Sequence, residues 1–264
     1  APFTSSAGPD MPGKAPGAGF ALGVGDYQEG GDLQRRLVAA RQVERIGDVL
    51  ILLQHPHTYT LGRRATADHV LWNEAELAQR GVARYWVDRG GDITYHGPGQ
   101  IVGYPILNIR ARGLDVHEYL RSIEEALIRA VAHFGITAGR DPAYTGVWVV
   151  GRKLAAIGVK VSRGVSCHGF ALNVNTDLSY FDGIVPCGIT DRSVTSLTEL
   201  LGAPQRLDEI LPVVTGAFAE VFGGAWTPVT LETLTDAAPP VPTAIEDPPA
   251  PPAKPVLRSY TIQA

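Results

Sequence analysis

The chain has 264 residues, 45% of them hydrophobic, enough to bury a sizeable core as one large or two small domains. Its net charge of −4 argues against a general nucleic-acid binder, and no apolar run approaches the roughly 20 residues that span a bilayer. With two cysteines, Cys167 and Cys187, a disulfide framework is excluded, and no basic-then-apolar leader pattern appears; the expectation is a reduced, cytoplasmic setting.

Residues 1–19 are rich in Ala, Pro, Gly and Ser and lack apolar periodicity, which predicts a disordered tail. A single domain is expected over residues 20–235. From Asp236 the chain turns Pro- and Ala-rich, so residues 236–264 read as a second tail. Both tails are expected to be dispensable. Leu33, Leu37, Ala40 and Val43 follow at helical spacing, with Gly47 as the expected stop. The apolar run Val49–Leu53 predicts a strand buried on both faces. It leads into His55-Pro56-His57. Two histidines flanking a proline raise the question of a metal, but no third ligand stands at a suitable spacing, so they read as pocket-shaping loop residues and no metal is expected. Arg63 and Arg64 follow and offer positive charge to an acidic partner.

A short helix is predicted around residues 73–80, stopped by Gly81. The stretch from Arg89 to Gln100 (RGGDITYHGPGQ) then combines four glycines and a proline with an arginine, a tyrosine and a histidine. Apolar runs on both sides make it a strand, a Gly-rich loop and a strand. A phosphate cradle would open a helix instead, and none is expected before Asp115. At Asp115 a capping box with Glu118 and a staple between Leu114 and Tyr119 start a helix that Gly135 ends. Beyond Asp141-Pro142 the chain is β-rich: residues 146–150, 153–161 and 168–175 read as strands. A last amphipathic helix runs from Leu207 to about Phe222.

Two thiols and several bases are available for chemistry. Cys187 sits between Pro186 and Gly188, a context that presents a side chain; Cys167 abuts a strand and reads as packing. A thiol becomes a nucleophile as thiolate, beside a positive charge or a base. His96, His168, Lys153 and Lys160 are the candidates, and local sequence leaves the choice among them open.

Four blocks carry a resemblance: residues 89–100, residues 151–158 (GRKLAAIG), residues 166–175 (SCHGFALNVN) and residues 186–189 (PCGI). With them the chain resembles the octanoyltransferases of lipoate biosynthesis, the lipoate–protein ligase B family, from about Tyr27 to Phe222. The resemblance implies an α+β fold, a mixed β-sheet with packed helices as in biotin and lipoate protein ligases and class II aminoacyl-tRNA synthetases. It implies transfer of an octanoyl group from acyl carrier protein to a lysine of lipoyl domains, those of 2-oxoacid dehydrogenases and of the glycine cleavage H protein. Cys187 matches the acyl-thioester cysteine and Lys153 the lysine that activates it. Arg89, Gly90, Gly91, Asp92, Ile93, Thr94, Tyr95 and His96, then Ala156, Ile157 and Gly158, then Gly169, Phe170 and Ala171, match acyl-binding segments. His57, Arg63 and His168 are expected to contact pocket or partner. Thioester to amide is downhill, so no cofactor, ATP or metal is expected, nor a nucleic acid or membrane partner. The competing readings are an ATP-dependent ligase of similar fold, a cysteine acyl hydrolase, and a non-catalytic acyl-binding protein.

Overall fold

The computed structural model describes residues 17–185, 193–224 and 226–238. Among them, strands β1 (Gly17–Val24), β2 (Val49–Gln54), β3 (Thr58–Leu61), β4 (Ala83–Trp86), β5 (Ile93–His96), β6 (Gln100–Ile106), β7 (Val147–Val149), β8 (Arg152–Ser162), β9 (Val165–Asn173) and β10 (Trp226–Pro228) form two sheets. The main sheet has the order β10-β1-β2-β6-β9-β8-β7, parallel across β10, β1 and β2 and antiparallel from β2 onward. The small sheet has the order β4-β3-β5, with β3 parallel to β4 and antiparallel to β5. The α+β class expected from the sequence is the class observed.

The helices are α1 (Tyr27–Gln42), α2 (Glu74–Gln79), α3 (Val116–Ala132), α4 (Leu197–Leu201), α5 (Leu207–Phe222) and α6 (Leu231–Ala237). The run Val49–Leu53 carries no polar residue to face water, and β2 is accordingly covered on both faces. Leu50 and Leu52 join the core under α3 and α5, while Ile51 and Leu53 join the core under α1 and α6. A third cluster fills the space between the small sheet, α2 and a 3₁₀ segment, Leu178–Gly183.

The capping box read at Asp115 and Glu118 is present, with both hydrogen bonds made at 2.8 and 2.9 Å. On α3 the fully buried Glu124 accepts from Arg121, Arg140 and the Gly146 N–H, pinning the loop that leads into β7. A buried carboxylate needs such partners, and these also hold residues 143–145 beside β8.

Several boundaries differ from expectation. The first helix starts at Tyr27, not near Leu33, because Asp26 caps it by accepting from the Gln28 N–H. Gly30, a poor helix former, obscures that start, yet a Cβ there would lie 3.1 Å from His55 Cε1. The helix also ends before Gly47, at Val43, which is exposed rather than on the apolar face. Residues 17–19, expected in the tail, pair in β1 with β10 and β2. At the other end α6 runs past residue 235: Leu234 and Ala238 are buried, and Arg36 donates to the carbonyls of Thr235 and Ala238. The expected Gly-rich loop also contains a strand of its own, β5, between two tight turns. Residues 1–16 and 239–264 lie outside the described residues.

Where β6 meets β9, two glycines set how closely the chains and their side chains approach. A Cβ on Gly103 would run into the Phe170 ring, and one on Gly169 into the Gly103 carbonyl oxygen. Gly169→Ala is therefore expected to destabilise the fold by about 1–3 kcal/mol through overpacking. Urea denaturation checks this, and a loss under about 0.5 kcal/mol, the range of neutral surface changes, would show that the backbone has slack here.

Candidate functional site

A cavity of about 480 Å³ runs along β8, within the range of about 300–1,000 Å³ usual for small-molecule pockets. Its middle is apolar, walled by Val102, Ala156, Ile157, Phe170 and Ala171. Polar groups gather at its ends. Lys153 and Val194 stand at one; Arg89, Gly90 and His168 stand with Val159 at the other.

Most of the residues expected from the sequence converge here. Arg89 to Thr94, His96, Lys153, Ala156 to Gly158 and His168 to Ala171 all line the cavity. Tyr95 does not. On β5, Thr94 and His96 face the cavity while Tyr95 faces the opposite core, as strand alternation requires. There its hydroxyl pairs with His57 Nδ1 at 2.7 Å, and burial raises its pKa far above the phenolic range. His57 and Arg63 also stay off the cavity wall. His57 stacks flat on Tyr180, with 4.1 Å between ring centres, and Arg63 is exposed, whereas its neighbour Arg64 does line the cavity. The two histidines around Pro56 diverge: His55 pairs with the Gly25 carbonyl at 2.8 Å and with the Tyr104 hydroxyl at 2.6 Å, so both its nitrogens are committed. Burial lowers the pKa of His55 and of His57.

The loop at Arg89 lies directly on the open edge of β8. The Gly90 N–H donates to the Val159 carbonyl at 2.9 Å, and a Cβ on Gly158 would lie 2.8 Å from the Gly90 carbonyl oxygen. Glycine at 158 is what allows this approach.

Beneath the cavity runs a buried chain of hydrogen bonds whose direction follows from its chemistry. Arg89 donates to Thr60 Oγ1 at 2.9 Å, so the Thr60 hydroxyl proton is free to go to His96 Nε2, 3.2 Å away. His96 then carries its proton on Nδ1 and donates to Gln100 Oε1 at 3.0 Å. Gln100 Nε2 donates to Asn173 Oδ1 at 2.9 Å, and Asn173 Nδ2 donates to the Thr195 carbonyl at 3.0 Å. His96 is neutral in this scheme; burial, reinforced by His55 and Arg89, holds its pKa well below the usual histidine value. The chain crosses from the small sheet to the main sheet and ends at residue 195, beside Lys153. Thr60, Gln100, Asn173 and Thr195 were not read as site residues. Gln100 and Asn173 are polar residues at the ends of strands, β6 and β9, and no local pattern in the sequence marks Thr60 or Thr195.

Lys153 is 9% exposed, with its ammonium 4.8 Å from the centre of the Trp148 ring. Its backbone pairs with the chain just after residue 192: Lys153 N–H to the Ser193 carbonyl at 2.9 Å, and Thr195 N–H to the Lys153 carbonyl at 3.0 Å. Cys187 itself lies outside the described residues. Cys167 is half-buried on β9: its thiol donates to Gln34 Oε1, and burial, reinforced by Asp88, pushes its pKa up to about 12. A thiol held so firmly protonated is a poor nucleophile.

His168 breaks the alternation of β9. Its φ of 59° is uncommon for a residue other than glycine, and it brings the ring to the same side as the Cys167 thiol. There Nε2 donates to Asp88 Oδ1 at 2.8 Å, and Asp88 also pairs with Lys160. Burial lowers the His168 pKa, opposed by Asp88; the His168 bond, helped by Lys160, holds the Asp88 carboxyl well below the usual carboxylate range.

This mixed sheet flanked by helices is also the fold of lipoate-protein ligases. A bi-partite lipoate protein ligase from Thermoplasma acidophilum superposes with a TM-score of 0.62 at 16% identity, covering 83% of this chain and 90% of that one. Lipoate-protein ligase A bound with ATP superposes at 0.61 and 17% identity, covering 83% and 92%. Residues 26–219 match the lipoyl protein ligase A/B catalytic domain. The octanoyltransferase of Rubrobacter xylanophilus is 50% identical over 203 residues, 76% of this chain and 91% of its own length. That of Chloroflexus aurantiacus is 52% identical over 204 residues, 76% and 92%. The chain belongs to the lipoyl protein ligase A/B catalytic-domain family, in its octanoyltransferase branch, and is an acyltransferase.

The buried histidines set a pH dependence of stability. The folded-state pKa values of His55, His96 and His168 lie below that of the free side chain, so below about pH 6.5 the unfolded chain binds protons that the fold refuses. Stability is then complete above pH 6.5 and is lost as pH falls below it, with His96, whose pKa is lowered furthest of the three, contributing most. Denaturant titrations at pH 7, 6 and 5 check this; equal stabilities would show these groups protonate freely in the fold.

Proposed function

We propose that the chain transfers an octanoyl group from acyl carrier protein to a lysine of a lipoyl domain through a thioester on Cys187, with Lys153 as its activating base. The observation that carries this reading is the placement of Lys153 at one end of an apolar channel, where both flanks of the segment 186–192 arrive. Before it, the Val185 N–H bonds the His69 carbonyl, and Phe181 lines the cavity. After it, Ser193 to Thr195 run along Lys153, and Val194 lines the cavity. The octanoyltransferase relatives support the acyl group, and lipoate ligase neighbours, one described together with its E2 lipoyl domain, support the acceptor.

The chemistry balances on these two residues. The Lys153 ammonium stabilises the Cys187 thiolate, which attacks the donor thioester carbonyl. The bond to the carrier's thiol breaks, and that thiol leaves with the Lys153 proton. The acceptor lysine then attacks as a neutral amine, a C–N bond replaces the C–S bond, and neutral Lys153 takes the amine proton. Thiolate and ammonium are restored. Acyl transfer between thioester and amine needs no ATP. Arg63 and Arg64 are exposed beside the cavity and make no ion pair among the described residues, unlike Arg152 and Lys160, which pair with Glu199 and Asp88. They suit the acidic surfaces expected of both protein partners.

Incubation with octanoyl-carrier protein, with and without ATP and a lipoyl domain, separates this reading from its rivals. Transfer to the lipoyl domain without ATP is expected; a strict ATP requirement with free octanoate indicates a ligase, and release of octanoate alone a hydrolase. By intact mass, Cys187→Ala is expected to lose the octanoyl adduct and Cys167→Ala to keep it; the opposite pattern overturns the assignment.

The role of Lys153 has a separate readout. Lys153→Ala is expected to slow iodoacetamide alkylation of Cys187 at neutral pH and to recover most of the rate above about pH 9, where a thiol of ordinary pKa ionises unaided. A profile that overlays the parent's denies Lys153 its role.

A further inference from the structure

Lys153 and Val159 both line the cavity, six residues apart on β8, so the cavity extends about 20 Å along the strand. The two ends are unlike. At the Lys153 end the wall is completed by residue 194. At the Val159 end three contacts stitch the loop from Asp88 to Gly90 onto the main sheet. The Gly90 N–H bonds the Val159 carbonyl, Asp88 pairs with Lys160 on β8, and Asp88 accepts from His168 Nε2 on β9. Across this closed end lie the His168 ring, its side chain 12% exposed, and the buried Arg89. The left-handed backbone at His168 is what turns that ring across the strand toward Asp88, and a residue is kept in such a conformation when its surroundings over-determine it.

We propose that His168, braced by Asp88, is the stop that sets the length of acyl chain the enzyme accepts. The proposal rests on the acyl-transfer reading and adds to it a residue that measures the substrate. An acyl group attached near Lys153 points along Ala156 and Ala171, which pair across β8 and β9 on one face of the sheet, toward His168. The lysine side chain and the thioester occupy the first part of the 20 Å, leaving a stretch on the order of 10 Å, the reach of about eight carbons at roughly 1.2 Å per bond. Up to that point every methylene moved out of water strengthens binding about fourfold. Beyond it the methyl end meets the ring and would strip water from the Asp88–Lys160 ion pair, so longer chains lose more than they gain.

The test compares parent, His168→Gly and Asp88→Ala. Glycine removes the ring and accepts the backbone angle without strain, and Asp88→Ala frees the ring without changing β9, so one variant reports if the other fails to fold. Thermal shift with free fatty acids of six to fourteen carbons reads chain length independently of catalysis, and transfer from the matching acyl-carrier proteins reads it in the reaction. The parent is expected to peak at eight carbons in both. His168→Gly is expected to move the peak to ten to twelve carbons, with at least a tenfold change in the twelve-to-eight ratio, and Asp88→Ala to move it the same way by less. Variants that lose affinity or rate equally for all lengths overturn the proposal and leave His168 a structural residue. A parent that shows length-selective fatty-acid binding but no transfer from any carrier would instead count against the acyl-transfer reading.

Discussion

The site depends on one constraint: a buried, one-way chain of hydrogen bonds from Arg89 through Thr60, His96, Gln100 and Asn173 to the Thr195 carbonyl. Every member lies in the interior or against it, where an unmade hydrogen bond costs about 1–3 kcal/mol. The arginine can only donate and the final carbonyl can only accept, so each group between has its role assigned and His96 has its tautomer assigned. The small sheet, which brings Arg89 and His96, is thereby locked to the main sheet, which brings Lys153 and the cavity floor. Residue 195, where the chain ends, is also bonded to the Lys153 backbone. The Arg89 loop and Lys153 are thus held in one frame although they lie at opposite ends of the cavity.

The cavity is a consequence of an edge left uncovered. The short β7 pairs with β8 through Ala155, so from Ala156 onward β8 has no strand on its outer side among the described residues, and the Gly90 loop covers it instead. A loop leaves space where a strand would close it, and that space is the apolar channel. Gly158 lets the loop come down onto the edge, while Gly103 and Gly169 let the Phe170 ring lie against the neighbouring backbone and form the floor. Lys153 sits at the point where strand pairing gives way to the channel. It is mostly buried and packed against Trp148 from β7.

Much of this was legible in the residues. The Val49–Leu53 run, the Asp115–Glu118 box and the periodicity of residues 207–222 each specify their element locally, and each stands where expected. Short motifs identified most of the cavity wall because glycines that permit close approach have to cluster beside it. What was missed follows from long-range contacts. The start of α1 is hidden by Gly30, which packs on His55. β1 was hidden because Gly17 to Gly19 show no pattern of their own and gain their partners from β2 and β10. Tyr95 belongs to the binding motif by sequence, but a strand alternates, so between Thr94 and His96 it faces away from the cavity. The polar chain was invisible as a unit, since its members come from four separate stretches of sequence. His168 looked like one base among several; its backbone angle and its pairing with Asp88 are what single it out.

The account stands on the channel being an acyl site that begins at Cys187 and runs toward His168. A crystal structure of the protein after reaction with octanoyl-carrier protein tests this most directly. The account predicts continuous density from the Cys187 sulfur for an eight-carbon chain lying over Val102, Ala171 and Ala156, with its methyl end near His168. Density for the acyl group on Cys167, or an eight-carbon chain outside the β8 channel, would contradict it.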